Sequence, residues 1–167
     1  MDVKIKRLTE TATIPTKAHP TDACFDIYAD CPNDKYETAS GVYKESYGTF
    51  IIETGDGIAI EPRNAVTIHT GFATDIPEGY FAAVFPRSGM GIKRHLRLSN
   101  STGIIDSSYR GEWMVALYNY GEETQIIHHG DRIAQFTLLP VLDVKFDEVE
   151  ELNETERGQG GFGSSGV

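Results

Sequence analysis

Three glycines near the end of the chain have a spacing that suits phosphate groups. In "RGQGGFGSSGV", residues 157–167, Gly161, Gly163 and Gly166 form a G-x-G-x-x-G pattern. In dinucleotide-binding folds this pattern follows a strand and opens a helix, whose N-terminus binds the pyrophosphate. Only Val167 follows the last glycine, and no apolar strand leads into the first. The pattern therefore does not indicate a dinucleotide-binding fold, although it resembles a phosphate-binding segment.

Two other segments place polar side chains at predicted strand ends. In "FPRSGMG", Arg87 and Ser88 stand beside the flexible Gly89. An arginine and a hydroxyl next to such backbone suit phosphate oxygens, and a surface turn with an exposed arginine fits equally well. The segment "GDRIAQF", residues 130–136, is typical of a turn entering a strand, in which Gln135 is an ordinary strand residue.

The segment "TGIIDSSYRGEW", residues 102–113, first suggests a calcium-binding loop. Counted from Asp106, Ser108 is third and Gly111 is sixth, as such a loop requires. The twelfth position is Leu117, where the loop needs a bidentate glutamate, so a calcium loop is excluded. By themselves these residues indicate an aspartate that caps the turn of a hairpin.

The histidines do not indicate a metal centre. His128 and His129 are adjacent in a predicted strand, so their side chains point to opposite faces and cannot chelate one ion. His19, His69 and His95 are isolated, and we interpret them as surface or core residues. A Ser-His-Asp hydrolase also lacks support, because the chain contains no G-x-S-x-G segment.

Length and composition restrict the class of protein. A chain of 167 residues, 40% hydrophobic and 24% charged, is typical of one globular domain. Its net charge of −10 argues against binding to a nucleic acid polymer, but local arginines and a divalent cation can still neutralise a small polyanion. We find no secretory signal and no apolar run that spans a membrane, so we expect a cytoplasmic protein with no membrane partner. Cys24 and Cys31 are expected to be thiols outside any disulfide framework or zinc site.

The elements that must position these residues are predicted to be strands. Short runs such as "AVTIHTG", "GYFAAVFP" and "EWMVALYNY" alternate polar with apolar residues and are separated by turn residues. The sequence therefore predicts an all-β fold, a sandwich, jelly roll or barrel, with at most one short helix at Gly89–Arg94. We interpret residues 31–50 as a surface excursion. After the acidic run at 147–156, the glycine-rich tail is expected to be mobile when free.

Taken together, the segments resemble the five ordered motifs of the homotrimeric dUTPases (dUTP diphosphatases). The motifs are "TDACFDIYA" at 21–29, "PRSGMG" at 86–91, "NSTGIIDSSYRGEW" at 100–113, "GDRIAQF" at 130–136 and "RGQGGFGSSG" at 157–166. Any one of these segments alone is a weak signal. Five of them in the family's order, covering nearly the whole chain, make the resemblance specific.

The resemblance implies a jelly-roll-like β-barrel that assembles as a homotrimer. It divides the chain into a dUTPase-like β domain at 1–156 and a flexible arm at 157–167, with 31–50 as a surface insertion in the first. In this family the arm reaches the active site of a neighbouring subunit and closes over the nucleotide. That role would explain a glycine pattern without a helix of its own.

The resemblance also implies an activity, the hydrolysis of dUTP to dUMP and pyrophosphate, which removes dUTP and supplies dUMP for thymidylate synthesis. Asp106 would take a proton from the water that attacks the α-phosphorus, and Gln135 would help to position that water. Arg87 and Ser88 would stabilise charge on the phosphate oxygens. A Mg²⁺ ion held by the triphosphate would fix its geometry, with Asp26 as indirect support.

The remaining implied contacts are with the nucleoside and the outer phosphates. Tyr109 would pack against the deoxyribose where a 2′-hydroxyl would clash, Phe162 would stack on uracil, and Asn100 with the main chain of a 100–106 hairpin would pair with the base. The full implied set of substrate-binding residues is Arg87, Ser88, Gly89, Asn100, Gly103, Ile104, Ile105, Asp106, Tyr109, Arg157, Phe162, Gly163, Ser164 and Ser165.

Two alternatives to a dUTPase stay open from the sequence. One is a nucleotide-responsive regulator on the same scaffold that contacts an unknown protein partner through residues 31–50. The other is a dCTP deaminase-like enzyme, which shares the fold class. The arm with Phe162 and the Tyr109 segment fit a dUTPase better.

Overall fold

A computed structural model of the chain describes residues 1–31, 44–46, 49–54 and 57–161. Within these ranges the chain forms strands and a single short helix, as the alternating sequence pattern predicts. The elements are, in chain order, β1 (Lys4–Arg7), β2 (Phe25–Tyr28), β3 (Lys44–Ser46), β4 (Thr49–Thr54), β5 (Gly57–Ile60), β6 (Ala65–His69), β7 (Phe72–Asp75), β8 (Tyr80–Phe85), α1 (Ser88–Arg94), β9 (Leu96–Leu98), β10 (Gly103–Ile105), β11 (Met114–Asn119), β12 (Gln125–Ile127) and β13 (Arg132–Pro140).

The strands form four small antiparallel sheets. Their strand orders are β1-β7, β10-β8-β13-β2, β6-β11-β9 and β12-β5-β4-β3. Strand β11 illustrates how the alternation of polar and apolar residues produces a strand with one buried face. Its residues alternate between half-buried and buried, and Val115 and Leu117 are among the buried ones. The prediction of an all-β fold is confirmed. No described helix is long and apolar enough to cross a membrane.

Trp113 lies at the centre of the core and is only 1% exposed. Its ring packs 5.2 Å from that of Phe72 and edge-on, at 4.9 Å, against that of Phe136. The indole N–H donates to Thr74 Oγ1 at 3.1 Å, so the buried polar atom of the side chain is satisfied. Trp113 is the last residue of the third motif of the sequence and anchors the start of β11, which begins at Met114.

Helix α1 confirms the helix predicted at Gly89–Arg94 and begins one residue earlier, at Ser88. Lys93 and Arg94 lie in its last turn, where cations interact favourably with the helix dipole. The helix ends because His95 adopts a left-handed conformation with φ 53° and donates its N–H to the Met90 carbonyl.

Two details of the predicted elements were wrong. His128 and His129 are not in a strand, because β12 ends at Ile127 and a turn follows in which His128 N–H donates to Asp131 Oδ2 at 3.1 Å. The 100–106 segment is not a β-hairpin, since β9 pairs with β11 while β10 pairs with β8. It is a tight turn between strands of two sheets, closed by the bond from Thr102 N–H to Asn100 O at 2.6 Å.

Two regions of the prediction fall partly outside the described ranges. Within 31–50, Cys31 is buried and not at the surface, residues 44–46 form β3 and residues 49–50 begin β4, whereas residues 32–43 and 47–48 lie outside the described residues. Whether 31–50 is an insertion stays a prediction. At the other end, residues 141–161 contain no strand or helix, and 141–159 are exposed throughout.

Candidate active site

A buried carboxylate holds two arginines together at one end of the β10-β8-β13-β2 sheet. Asp26 on β2 is 8% exposed. Arg87 donates its Nε–H to Asp26 Oδ1 at 2.7 Å, and Arg132 donates an Nη1–H to Asp26 Oδ2 at 3.2 Å. Each guanidinium carries five N–H donors, so both retain donors for another anion. We call Asp26, Arg87 and Arg132 the arginine cluster; it carries two positive charges against one negative.

Arg132 was missed by the sequence analysis, which assigned no role to any residue of "GDRIAQF" except Gln135. The signal was present, since an arginine directly after a Gly-Asp turn begins the strand that faces β2. Nothing local could show that its partner is Asp26, 106 positions away in the chain.

Ser88, Gly89 and Gln135 lie beside the arginine cluster. Ser88 follows Arg87 at the start of α1 and is exposed. A Cβ atom added at Gly89 would meet nothing within 4 Å, so the space in front of this backbone is open. Gln135 lies opposite Asp26 on one side and Phe85 on the other, and it donates Nε2–H to the Pro86 carbonyl at 3.0 Å.

Asp106 lies in a second group of residues, which we call the Asp106 loop (residues 106–112). It follows β10 and is exposed, and the bond from Tyr109 N–H to its carbonyl at 3.1 Å closes a turn. A cavity of about 190 Å³ opens here, and its lining comprises Ile104, Ile105, Asp106, Tyr109, Glu112 and Met114. The loop thus presents a carboxylate and an aromatic ring to one small concave surface.

The residues before the Asp106 loop include Gly103, which packs closely against the neighbouring strand β8. A Cβ atom at Gly103 would lie 3.1 Å from Val84 Cβ, which makes a side chain at this position tight. Asn100 is exposed in the turn between β9 and β10, and Ile104 is exposed on the edge strand β10. Of these residues, Ile104 lines the cavity, and Gly103 precedes it directly in the chain.

Glu112 closes the Asp106 loop and is tied to the turn between β6 and β7. Its Oε1 accepts N–H bonds from Gly71 at 2.8 Å and Thr70 at 3.2 Å, and its Oε2 lies 2.8 Å from His69 Nδ1. Burial acts to raise the pKa of the Glu112 carboxyl, but the bonds from His69 and the two amides outweigh it and hold the pKa below its usual value. This carboxylate is therefore ionised at neutral pH.

The arginine cluster and the Asp106 loop lie far apart within one chain. Ile105 is opposite Ala82 on β8, while Gln135 is opposite Phe85 at the other end of β8. Three residues along the strand and two strand spacings across the sheet separate Ile105 from Gln135 by about 14 Å. Asp106 continues away from Phe85, so its carboxylate and the Gln135 amide cannot share one water molecule in a single chain.

The structure describes few of the residues predicted in the arm. Arg157 is exposed and donates Nε–H to the Gly160 carbonyl at 3.0 Å. Phe162, Gly163, Ser164 and Ser165 lie outside the described residues.

The described residues offer no metal-binding cluster of three or more His, Cys, Asp or Glu side chains. Asp26, expected from the sequence to support a magnesium ion indirectly, has both carboxylate oxygens bonded to arginines. Cys24 is half-buried, which raises the pKa of its thiol, and Cys31 is buried; neither forms a disulfide, as predicted.

Comparison with known proteins gives consistent matches. The dUTPase family model matches residues 42–166. The deoxyuridine 5′-triphosphate nucleotidohydrolase of Gloeobacter violaceus is 39% identical over 164 residues, 98% of this chain and 96% of that protein. The enzyme of the same name from Escherichia phage T5 is 44% identical over 142 residues, 83% of this chain and 94% of that protein. The solved structure of the Staphylococcus bacteriophage 80alpha dUTPase with dUPNHPP superposes with a TM-score of 0.74 at 28% identity, covering 99% of both chains.

Proposed function

Because the chain belongs to the dUTPase family and is a deoxyuridine 5′-triphosphate nucleotidohydrolase, we propose that it hydrolyses dUTP to dUMP and pyrophosphate with Asp106 as the general base. The Asp106 carboxylate takes a proton from a water molecule that attacks the α-phosphorus, and pyrophosphate leaves. A carboxylate within reach of a water molecule can accept its proton, which suits this role. The exposure of Asp106 beside a cavity supports the assignment.

The arginine cluster is proposed to bind the phosphates. Asp26 holds the Arg87 guanidinium in one orientation, so its remaining N–H groups are preorganised for phosphate oxygens. Ser88 and the open backbone at Gly89 lie next to it, and Arg132 adds a second cation. Gln135, whose side chain is held by its bond to the Pro86 carbonyl, is proposed to help to position the attacking water.

The Asp106 loop is proposed to bind the nucleoside. Tyr109 packs against the deoxyribose and excludes a 2′-hydroxyl, while uracil pairs with Asn100 and with main-chain groups at Gly103, Ile104 and Ile105. The edge position of β10 supports this, because one side of its main chain has no neighbouring strand in the described part of the sheet and Ile104 and Ile105 line the cavity. These main-chain and Asn100 hydrogen-bonding groups, which match uracil, do not match the amino group of cytosine.

Magnesium enters the proposal only through the substrate. The described residues do not fit a metal cage of their own, since both oxygens of Asp26 are engaged by arginines. We therefore assign Mg²⁺ to the triphosphate oxygens, where it would neutralise charge, and we route no step through it.

The family resemblance implies a homotrimer, and one observation supports an assembly of several copies, namely the separation of the two groups of residues within one chain. Because Ile105 lies about 14 Å from Gln135 and Asp106 continues away from it, the Asp106 loop needs the arginine cluster of a second copy to form one site. Closed cyclic symmetry supplies every copy with the same contact. Several apolar side chains after β13 are exposed in the single chain, and contact with another copy would bury them. They are Val141, Leu142, Val144, Phe146, Val149 and Leu152.

The C-terminal arm, residues 157–167 after a β domain at 1–156, is proposed to close over the bound nucleotide. Phe162 stacks on uracil, and Arg157, Gly163, Ser164 and Ser165 bind the outer phosphates. The exposure of residues 141–159 supports a segment that finds its contacts outside its own chain. In the cell the reaction, which we place in the cytoplasm, removes dUTP and supplies dUMP for thymidylate synthesis.

A nucleotide panel tests the proposal. The purified protein is incubated with dUTP, UTP, dCTP and dTTP, with and without Mg²⁺, and the products are separated. We expect dUMP and pyrophosphate from dUTP alone, at a rate that falls without Mg²⁺. Ammonia release from dCTP would identify a deaminase instead, and nucleotide binding without turnover would indicate a regulator that acts through a partner at 31–50.

A further inference from the structure

The Asp106 loop is anchored by the carboxylate of Glu112, a residue that also lines the cavity but whose carboxylate oxygens are bonded outside the loop. Glu112 directs its side chain to the turn between β6 and β7, where it meets three donors, the N–H groups of Thr70 and Gly71 and the His69 ring. The carboxylate is half-buried, so water screens these bonds only in part. Bonds to an ionised acceptor are about twice as strong as neutral ones.

The main chain of Glu112 in turn holds the Tyr109 ring. Tyr109 Oη donates to the Glu112 carbonyl at 2.9 Å. A Cβ atom added at Gly111 would lie 2.5 Å from Tyr109 Oη and 2.6 Å from Cζ, so the phenol lies directly against the loop backbone. The position of the ring therefore depends on the position of the 111–112 backbone.

The residue after Glu112 belongs to the rigid core. Trp113 N–H donates to the Phe72 carbonyl at 3.0 Å, and Thr70 Oγ1 donates to the Trp113 carbonyl at 2.6 Å. The Glu112 carboxylate extends this attachment by one residue into the loop. Arg110 also bonds the loop, to Ser107 O and to Asp75, but its side chain is more than half exposed and its ion pair is screened.

We propose that Glu112 is a positioning residue for sugar discrimination. Its carboxylate fixes the 111–112 backbone against the turn between β6 and β7, the backbone carbonyl fixes the Tyr109 phenol, and the phenol excludes the 2′-hydroxyl of a ribonucleotide. This inference rests on the proposed contact of Tyr109 with deoxyribose. It adds a residue that touches neither the substrate nor the attacking water.

The test compares kcat/KM for dUTP and UTP in matched variants. Glu112→Ala is expected to lower the dUTP-over-UTP ratio by about tenfold, mainly through a higher kcat/KM for UTP, because a misplaced ring no longer excludes the 2′-hydroxyl. Glu112→Gln keeps an oxygen that accepts from the Thr70 and Gly71 amides, so it should restore the ratio to within about threefold of the original. Tyr109→Phe, which removes the phenol hydroxyl alone, should lower the ratio as Glu112→Ala does.

The control is Asn119→Ala, at the opposite end of β11. The Asn119 amide is buried and donates to the Ile60 and Glu123 carbonyls, so this variant also loses stability, yet it lies away from the loop. It should lower Tm and leave the ratio unchanged. If Glu112→Ala lowers Tm in the same way without changing the ratio, Glu112 is only structural and the inference is wrong.

Two further results separate this inference from the proposed function. If Tyr109→Ala leaves the ratio unchanged, the proposed contact of Tyr109 with deoxyribose is itself wrong. If Tyr109→Ala lowers the ratio but Tyr109→Phe does not, the ring acts without the Glu112 carbonyl and the positioning inference alone fails. The Tyr109→Phe result decides the matter even when Glu112→Ala does not fold.

Discussion

The Arg87 guanidinium lies 2.7 Å from the Asp26 carboxylate, and this bond joins the second sequence motif to the first. Removing the charge with Asp26→Asn leaves Arg87 and Arg132 close together without a shared counter-ion. We expect KM for dUTP to rise about tenfold through disordered arginines, and the free energy of unfolding to fall by about 1–3 kcal/mol. Steady-state kinetics and urea unfolding measure the two effects. A variant with unchanged KM would show that Asp26 does not orient the phosphate-binding arginine.

Asp106→Asn should abolish hydrolysis and keep nucleotide binding, because an amide preserves the shape but cannot accept the proton of water. The loss of a general base lowers kcat by about a hundredfold or more. Single-turnover assays and calorimetry with a non-hydrolysable dUTP analogue test both parts. Asp2→Asn, the same chemical change at an exposed position outside the site, is the control. A variant at position 106 with more than a tenth of the original kcat contradicts the assigned base.

Two inactive variants should restore activity to each other when they are mixed. Asp106→Asn inactivates the Asp106 loop, and Arg87→Ala removes one cation of the arginine cluster. In the proposed site the loop and the cluster come from different copies of the chain. Trimers reassembled from equal amounts of both chains should have about one quarter of their sites intact, by the statistics of a symmetric assembly. Activity is assayed after unfolding and refolding the mixture, with each variant refolded alone as the control. A mixture no more active than its components places both residues in one chain.

Deleting residues 157–167 should leave a folded protein that turns over dUTP poorly, because the arm is proposed to contribute to the closed complex and not to the core. Circular dichroism checks the fold and kcat/KM checks the closure. Phe162→Ala should weaken catalysis less than the deletion, since it removes only ring stacking. An unchanged kcat/KM, or an unfolded protein, would refute the arm as a lid.

The stabilising effect of Glu112 should depend on pH in the acid range. Because the folded state holds its pKa below the usual value of 4.5, the carboxylate stabilises the fold fully above that value and loses the contribution as pH falls through the lowered pKa. Urea midpoints of the original chain and of Glu112→Gln, measured between pH 6 and pH 3, isolate this group. The difference between them should be largest at pH 6 and shrink toward pH 3. A constant difference would contradict an ionised Glu112.

The fold could be predicted where an element depends on residues that are close together in the sequence. Alternation of polar and apolar residues gives strands such as β6 and β11, because one face of each is buried. The short helix was also visible from its sequence. The ends of elements were harder, as at His128, where a bond to the Asp131 side chain forms a turn and ends the strand pattern.

The site was less predictable because its contacts join distant parts of the chain. Asp26 meets Arg87 across 61 positions, and Glu112 meets His69 across 43. The spacing of residues in the sequence indicates neither pairing, so the roles of Arg132 and Glu112 were not predicted. The motif resemblance predicts roles for Asp106 and Arg87, but it could not show that strand register keeps the Asp106 loop away from Gln135.

The exposed row of Leu142, Val144 and Phe146, which are 79%, 60% and 97% exposed, has a consequence for how the chain folds. Alternate residues lie on one face wherever a segment is extended, and the strands that precede these three do not bury them. If a second copy buries these side chains, part of the free energy of folding comes from the association of two chains. The midpoint of unfolding then rises with protein concentration, and the last step of refolding follows second-order kinetics.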